Sequence, residues 1–340
     1  MTSSDTLPAL NFDHLVAMTT QWGLFEHALF SEPRVEHGYC TDDVARALTV
    51  VVRGPNAPAH LVEIYLNFVE RAVTDSRATH NRMSASGTWQ DEPLMGDWWG
   101  RAVAALGFAA RHGASPQVRR RAMDAFNRAA RLRSPFIHTM SFAAIGAADA
   151  MASDQESPEA PALLHECLNA IGTHAAKETT GWGWPEPRLT YANAALCDAL
   201  ITGGAAANNH ACLERGLSLL DVLLAIETSP DGHLSVTGSK GRTPGQPGPL
   251  WDQQAIEPAA IADACRHALA ATGDPHWAEG IRLAWAWFVG DNDSNTAMYN
   301  ATDGVGYDGL EPGGRNENCG AESTLAALST LQHRRSIEAL

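Results

Sequence analysis

The chain has 340 residues, of which 19% are charged and 45% are hydrophobic, a composition typical of folded globular proteins and not of disordered ones. Lys and Arg number 24 against 39 Asp and Glu, which gives a formal net charge of −15. This charge argues against nucleic acid or an anionic membrane as a partner, because both would be repelled. A neutral ligand such as a sugar is compatible with it.

Localisation and cofactors are addressed by what the sequence lacks. The first twenty residues carry no basic region followed by an apolar run, so no signal peptide is predicted. No apolar stretch approaches the ~20 residues that a membrane span needs. The scattered cysteines form no CxxC pair and indicate reduced, buried thiols: Cys40, Cys167, Cys197, Cys212, Cys265 and Cys319. We therefore expect a cytoplasmic protein without a metal ion or other cofactor.

Motifs of several large enzyme classes are also missing. The sequence contains no HExxH, P-loop lysine or GxSxG motif. This argues against a metalloprotease, an NTPase and an α/β-hydrolase.

Helical periodicity dominates the chain, and strand-like alternation is nearly absent. The predicted helices, in chain order, are 8–26, 40–53, 58–75, 98–112, 115–131, 135–151, 159–177, 190–202, 208–227, 255–272, 275–290 and 320–334. Odd-numbered helices are amphipathic, whereas even-numbered helices are rich in small residues, as in GRAVAALGFAA. A helix that is apolar nearly all round packs on both sides, and one with a charged stripe packs on one side. The alternation predicts inner helices enclosed by outer helices.

This alternation favours an all-α fold, an (α/α)6 toroid formed by residues 1–340 as a single domain. The alternative is an α-solenoid of stacked helix pairs, but no consensus of fixed period repeats along the chain. The segments 76–97, 228–252 and 291–319 are unusually long loops that lead into even-numbered helices. In a toroid, such loops lie on one face at the N-terminal ends of the inner helices, so we expect the functional site there.

Acidic and aromatic residues are concentrated in the six segments that enter the inner helices. The carboxylates are Asp42, Asp43, Asp97, Glu186, Asp252, Glu257 and Glu322. The tryptophans are Trp98, Trp99, Trp182, Trp184 and Trp251, with Trp89 just upstream. Aromatic faces pack on the C–H surfaces of sugars and carboxylates bind their hydroxyls, so this ring predicts a saccharide cleft.

Each carboxylate also has a structural interpretation. Asp42 and Asp43 follow Thr41 and would stabilise the first turn of a helix. Adjacent helical residues do not share a face, so at most one of the pair points at a ligand, and we favour Asp43. Glu257 directly precedes a proline, which suits a helix start at the mouth. Glu186 lies between two prolines, which would present its carboxylate rigidly.

Seven segments follow one another in a characteristic order. They are GYCTDDVARAL, DWWGRAVAALG, the RSP segment, WPEPRLTYANA, WDQQAIEPAA, YDGL and NCGAESTLA. This order resembles a bacterial family of glycoside-hydrolase-like, six-hairpin toroid domains that occur alone or fused behind glycosyltransferase domains. The resemblance covers about residues 15 to 335 and implies a carbohydrate substrate. The family commonly has an acid where this chain has Ala192, which moves the expected catalytic role to Asp97, Glu257 and Asp43.

The leading prediction is an enzyme that cleaves a glycosidic bond of an oligosaccharide with a carboxylate acid/base pair. Asp97 and Glu257 are the predicted pair, and Asp43 and Glu186 are held in reserve. The predicted substrate-binding residues are Tyr39, Asp42, Trp98, Trp99, Arg101, Trp184, Tyr191, Trp251, Asp252, Gln253, Gln254, Asp308 and Glu322.

Three alternatives remain open. A sugar phosphorylase would need arginines for phosphate, which Arg101, Arg188 or Arg242 could supply. A non-catalytic glycan-binding module associated with glycosyltransferases would bind sugars without cleaving them. A sugar epimerase or isomerase shares the expected fold and usually relies on histidine bases, for which His37 and His138 are few.

Overall fold

Helices make up most of the computed structural model, which describes residues 7–74, 76, 78–175 and 181–338. The helices are α1 (Asp13–Ala17), α2 (Thr41–Arg53), α3 (Ala59–Ala72), α4 (Asp97–His112), α5 (Pro116–Ala129), α6 (Ile137–Met151), α7 (Ala160–Ala175), α8 (Ala194–Ala206), α9 (His210–Glu227), α10 (Ile256–Thr272), α11 (His276–Phe288) and α12 (Ala321–Glu338). The short strands are β1 (Ala28–Leu29), β2 (Glu32–Pro33), β3 (Tyr39–Cys40), β4 (Arg82–Met83), β5 (Gln253–Gln254), β6 (Tyr299–Asn300), β7 (Val305–Gly306), β8 (Gly309–Glu311) and β9 (Gly314–Arg315). None of the described helices is long and apolar enough to cross a membrane.

The predicted first helix, 8–26, is wrong for most of its length. Only Asp13–Ala17 is helical, and the chain then turns back on itself. The Thr20 backbone N–H donates to the Gly23 carbonyl, and the Thr20 hydroxyl accepts from the Trp22 N–H at 3.1 Å. Threonine side chains that bond nearby backbone groups in this way compete with a continuing helix. The other eleven predicted helices correspond to α2–α12 with ends shifted by a few residues.

Six inner helices form a closed ring. Each packs on the next, from α2 through α4, α6, α8 and α10 to α12, and α12 packs back on α2. The helices α3, α5, α7, α9 and α11 pack on this ring from outside, and the short α1 contacts α12. A solenoid would leave its two ends apart, so the closed ring confirms the (α/α)6 toroid.

Burial follows the inner and outer positions. In the inner helix α6, residues 139–144 and 146–150 are all buried, so this helix is enclosed on nearly every side. In the outer helix α5, the buried residues recur at helical spacing along one face: Val118, Ala122, Met123, Ala125, Phe126 and Ala129. The small residues of the inner helices are therefore the ones that let six helices converge around one axis.

The closest approach in the ring is made at two glycines of α4 and α6. A Cβ added to Gly107 would lie 2.0 Å from the Gly146 carbonyl oxygen, and one added to Gly146 would lie 2.3 Å from the Val103 carbonyl oxygen. No side chain fits at these distances, so glycine at both positions fixes the spacing of the two helices.

We expect Gly146→Ala to lower the free energy of unfolding by about 1–3 kcal/mol, because the added methyl group would push α6 away from α4. Thermal unfolding followed by circular dichroism should show a lower Tm. Gly172→Ala in α7 is the matched control, because a Cβ at that position meets no atom within 4 Å. An equal Tm for Gly146→Ala and the wild type would contradict the close contact.

The loops that lead into the inner helices pair with one another on one face. Before α2 and α4, Tyr39 pairs with Met83. Before α10 and α12, Gln253 pairs with Leu310. A backbone bridge between residues 189 and 242 joins the loops before α8 and α10. These pairings join the entry loops of α2 and α4, of α8 and α10, and of α10 and α12 on one face of the toroid, the face where the loop lengths predicted a site.

Candidate active site

A cleft of about 660 Å³ opens in the mouth, beside the N-terminal ends of α2, α4 and α6. Its lining combines carboxylates, histidines and aromatic rings. The lining residues are Asp42, Asn81, Gly96, Asp97, Trp98, Pro135, Phe136, Ile137, His138, His174, Glu186 and Tyr191. The cleft is therefore equipped both to bind a polar, ring-shaped ligand and to exchange protons with it.

Asp97 begins α4, and hydroxyl groups hold its carboxylate. The Thr139 hydroxyl donates to Oδ1 at 2.5 Å, and the Tyr191 hydroxyl donates to Oδ2. Both oxygens of this side chain therefore accept hydrogen bonds from hydroxyl groups. The two bonds fix its orientation at the edge of the cleft.

Asp42 lines the same cleft, one residue into α2. Burial raises the pKa of its carboxyl, although the Arg101 guanidinium, whose Nε lies 2.9 Å from Oδ1, acts in the opposite direction. The negative charge of Asp97 also contributes to raising this pKa. Asp42 and Asp97 thus lie on the same cleft in contrasting surroundings.

Asp43 faces the interior, contrary to the choice that the sequence favoured. Its side chain is 2% exposed, the Cys40 thiol donates to its Oδ2, and Arg46 donates to its Oδ1 at 2.6 Å. Burial raises the pKa of Asp43 to about 6. Successive residues on a helix differ in direction by about 100°, so only one of this pair can face the mouth.

Beneath the cleft, charged side chains form the upper wall of a central cavity between the inner helices. Arg46 bridges Asp43 and Glu322, with both contacts at 2.6 Å. Burial opposes ionisation of Glu322, but Arg46 more than compensates, so the pKa of Glu322 is lowered. The Arg101 guanidinium lies 4.1 Å from the centre of the Phe142 ring. These pairs fix the positions of the polar groups beneath the cleft.

Glu186 lies between two histidines at the side of the cleft. Its Oε2 is 3.5 Å from His138 Nε2, and its Oε1 is 3.5 Å from His174 Nε2. Burial disfavours its charged form, yet the histidines lower the pKa of Glu186 overall. The His138 ring stacks on Tyr191 with ring centres 5.0 Å apart. His174 belongs to the outer helix α7 and not to a segment that enters an inner helix, so the sequence pattern did not predict it.

Glu257 faces the backbone behind Tyr191 instead of the open cleft. It is 5% exposed and accepts hydrogen bonds from the Ala192 N–H at 2.5 Å and the Asn193 side-chain amide at 3.0 Å. Ala192 has a φ of 44°, a conformation that these bonds stabilise. Burial and the nearby Glu227 raise the pKa of Glu257 to about 8. The contacts identify Glu257 as a residue that positions Tyr191, which corrects its predicted pairing with Asp97.

Three aromatic residues predicted to bind substrate are instead buried in the core. Trp99 and Trp184 are both 0% exposed, and Tyr39 is 1% exposed. The Trp99 indole N–H donates to the Ala129 carbonyl, and the Tyr39 hydroxyl lies 2.7 Å from the Thr20 hydroxyl. Trp98, the neighbour of Trp99, does line the cleft.

Two predicted polar ligands also have structural roles. Gln253 is 0% exposed, accepts from the Trp287 indole N–H at 3.1 Å and donates to Asp293 at 2.5 Å. Asp308 accepts from the Gly320 N–H at 2.7 Å, immediately before α12. Both are polar residues whose hydrogen bonds are used within the protein, which sequence pattern alone does not reveal.

A second pocket, of about 190 Å³, lies on the other side of Tyr191 from the cleft. Its lining consists of Arg188, Thr190, Tyr191, Thr237, Gly238, Ser239, Gly241, Gln254 and Glu257. Gln254 lines this pocket, and its role in substrate binding stays a prediction. Its predicted neighbours Trp251 and Asp252 are half-buried and line neither this pocket nor the cleft.

A polar cluster that was not predicted from the sequence lies at the far end of the central cavity. Arg53 Nη1 lies 3.0 Å from His333 Nε2, which lies 2.5 Å from Asp263 Oδ1. His267 Nδ1 lies 2.6 Å from Asp198 Oδ1. Burial and the charge of Arg53 lower the pKa of His333 to about 4. These residues sit inside the small-residue inner helices, where isolated polar residues carry no pattern of their own.

One group of side chains has the composition of a metal site. Ligand atoms of Glu26, Cys40 and Asp43 lie within 4.8 Å of one another. Arg82 already pairs with Glu26 and Arg46 with Asp43. Burial raises the pKa of the Cys40 thiol, which disfavours the thiolate that a metal requires. The arrangement fits an internal ion-pair network better than a cation site, and the absence of a metal cofactor stays a prediction.

Comparison with known proteins identifies the architecture. No protein-family model and no curated protein sequence matches the chain. Cellobiose 2-epimerase from Bacillus thermoamylovorans superposes with a TM-score of 0.70 at 10% identity, covering 98% of this chain and 96% of that one. A D-mannose isomerase gives a TM-score of 0.65 at 13% identity, with coverage of 97% and 94%. The chain has their toroid fold.

A third solved structure belongs to the same architecture. The cellulase Cel9M of C. cellulolyticum superposes with a TM-score of 0.60 at 8% identity and covers 93% of this chain and 87% of that one. Identities this low establish the fold and leave residue roles to the geometry of the site. The predicted occurrence of this domain behind glycosyltransferases stays a prediction.

Proposed function

We propose that this protein is a carbohydrate-active enzyme that cleaves a glycosidic bond of an oligosaccharide in the cleft beside α2, α4 and α6. The observation that carries the proposal is the presence of Asp42 and Asp97 on one cleft in contrasting surroundings. Burial raises the pKa of Asp42, whereas Asp97 accepts two hydroxyl hydrogen bonds. Carboxyl groups whose environments separate their protonation behaviour are suited to the acid and base roles of a glycosidase.

In this mechanism Asp42 is the general acid and Asp97 the general base. Asp42 gives its proton to the glycosidic oxygen as the bond from that oxygen to the anomeric carbon breaks. Asp97 takes a proton from a water molecule, whose oxygen forms the new bond to the anomeric carbon. The products are a reducing sugar and the released alcohol, and the two carboxyl groups exchange protonation states before solvent restores them.

Aromatic side chains at the rim support a saccharide as the ligand. Phe136 is 61% exposed and Tyr191 is 43% exposed, and both line the cleft with Trp98. Exposed rings around a polar cleft pack well on the C–H faces of a pyranose. The solved proteins that share the fold include a cellulase, which is consistent with this class of ligand.

A second candidate function is sugar epimerisation or isomerisation. It is favoured by His138 and His174, which flank Glu186 in the same cleft, and by the fold shared with a cellobiose 2-epimerase and a D-mannose isomerase. His138 Nδ1 is buried and makes no hydrogen bond within the described part of the chain. A neutral imidazole that lines the cleft could take a proton from the carbon next to the carbonyl of an open-chain sugar and return it.

One experiment separates the two candidates. The protein is incubated in D₂O with manno-, gluco- and galacto-oligosaccharides and with the free aldoses, with and without phosphate, and the products are followed by NMR. We expect new reducing-end signals from a shortened oligosaccharide, whose anomer also gives the stereochemical course. An epimer or ketose carrying deuterium at the exchanged carbon would support the second candidate instead. Binding without any turnover would contradict both and favour a glycan-binding module.

A further inference from the structure

The pocket behind Tyr191 is rich in hydrogen-bond donors. Arg188, Thr190, Ser239 and Gln254 line it together with the backbone of the loop 238–242, which reads GSKGR. Its size, about 190 Å³, suits a small polar group and not a whole oligosaccharide. The proposed mechanism uses none of these four side chains.

Glycines give this loop its shape. A Cβ on Gly238 would lie 2.1 Å from the Trp251 carbonyl oxygen. Gly241 has a φ of +75°, and a Cβ there would lie 2.4 Å from Arg188 Nη2 and 2.5 Å from the Leu189 carbonyl oxygen. Glycine at both positions therefore allows the loop to approach closely and the Arg188 guanidinium to rest against it. The loop backbone therefore lies close to that guanidinium.

Backbone hydrogen bonds hold the arginine-bearing segment against this loop. The Leu189 N–H donates to the Arg242 carbonyl at 2.8 Å, and the Arg242 N–H donates to the Leu189 carbonyl at 3.1 Å. These two bonds fix the backbone of Leu189, the residue that follows Arg188. The Arg188 side chain therefore extends from a segment whose backbone is held in place.

Arg188 differs from the other two arginines that the sequence suggested for phosphate. The Arg101 guanidinium is paired with Asp42, and Arg242 donates to the backbone carbonyls of residues 226 and 235. Arg188 forms no salt bridge within the described part of the chain, whereas most arginines there do. A guanidinium without a carboxylate partner, beside a donor-rich pocket, retains its charge for a ligand.

The remaining charge at the pocket is compatible with an anion. Glu257 is the one carboxyl group among the lining residues, and its oxygens already accept hydrogen bonds from Ala192 and Asn193. Burial raises its pKa to about 8, which disfavours its charged form. Lys240, one of only two lysines in the chain, lies in the same loop and adds positive charge.

We propose that this pocket binds an oxyanion, a phosphate or a carboxylate group, with Arg188 as its charged ligand. The anion is either free phosphate acting as a second substrate or an acidic group carried by the sugar. The link to a sugar rests on the proposed function and on Tyr191, which lines both the pocket and the cleft. Anion binding itself does not depend on that function.

The test is isothermal titration calorimetry at pH 7 and low salt with inorganic phosphate, glucose 6-phosphate, glucuronate and glucose. We expect at least one anion to bind saturably, with affinity that falls as salt is raised and at least ~10-fold weaker in Arg188→Ala. Arg120→Ala, an exposed arginine on α5, is the charge-matched control and should bind as the wild type does. Arg188→Lys, which keeps the charge and loses the planar fork, should give intermediate affinity.

The outcomes separate the two sources of the anion. Binding of inorganic phosphate indicates a free second substrate, and binding of the sugar acids alone indicates an acidic saccharide. Equal affinity of the wild type and Arg188→Ala for every anion, or no binding of any anion, would overturn the proposal. Arg188-dependent anion binding in a protein that turns over no sugar would leave this proposal standing and refute only the proposed enzymatic function.

Discussion

Asp97→Asn is expected to reduce the rate of glycosidic-bond cleavage by at least ~100-fold, the contribution typical of one acid or base group. An amide can still accept from Thr139 through its oxygen, but it cannot take a proton from water. The measurement is kcat on the oligosaccharide that the NMR assay identifies, together with a thermal unfolding curve. The Tm should change little, because Asp97 sits at the surface of the cleft.

Two further variants make this result specific. Asp124→Asn, on the exposed face of outer helix α5, removes one negative charge far from the mouth and should keep the wild-type rate. Asp42→Asn should also lower kcat by at least ~100-fold, because it removes the proposed acid. A wild-type rate in Asp97→Asn would eliminate Asp97 as the base and redirect attention to His138.

Trp99→Ala should lower the free energy of unfolding by about 3–5 kcal/mol, the usual cost of removing a buried tryptophan side chain. The ring is 0% exposed, and its N–H is bonded to the Ala129 carbonyl, so truncation leaves a cavity and an unpaired acceptor. Urea unfolding measures the change. If Trp99→Ala unfolded at the urea concentration of the wild type, the ring could not be part of the core.

Its neighbour Trp98 provides the contrasting variant. Trp98 lines the cleft, where Trp98→Ala should weaken sugar binding and raise KM while costing less stability than Trp99→Ala. Both residues are predicted from the sequence to bind substrate. The two variants therefore test whether Trp98 contacts the ligand and Trp99 packs in the core, as their positions indicate.

The fold was more predictable from the sequence than the site was. The alternation of amphipathic and small-residue helices specifies which helices are enclosed, and the ring follows from it. Which residues belong to the site depends instead on the direction in which each side chain points within a single helical turn. Asp42 and Asp43, like Trp98 and Trp99, are neighbours with the same chemistry, and only the rotation of the helix decides which of them meets the cleft.

Other parts of the site depend on contacts between distant segments. Glu257 was placed correctly at a helix start, but its role as acceptor for residues 192 and 193 requires the neighbouring loop to be known. His174 reaches the cleft from an outer helix, whereas the site was predicted only from segments that enter the inner helices. The oligosaccharide ligand, the single-domain organisation and the cytoplasmic location stay predictions.

The pairing of the loops that lead into the inner helices has an electrostatic consequence. Because the loops that lead into the inner helices meet on one face, those helices point their N-termini toward the mouth. Each helix behaves as though it carried about half a positive elementary charge at that end. In a chain of net charge −15, the peptide backbone thus supplies a positive potential where carboxylates gather. Substitution of side chains would leave that potential in place. The fold itself therefore stabilises negatively charged groups at the mouth.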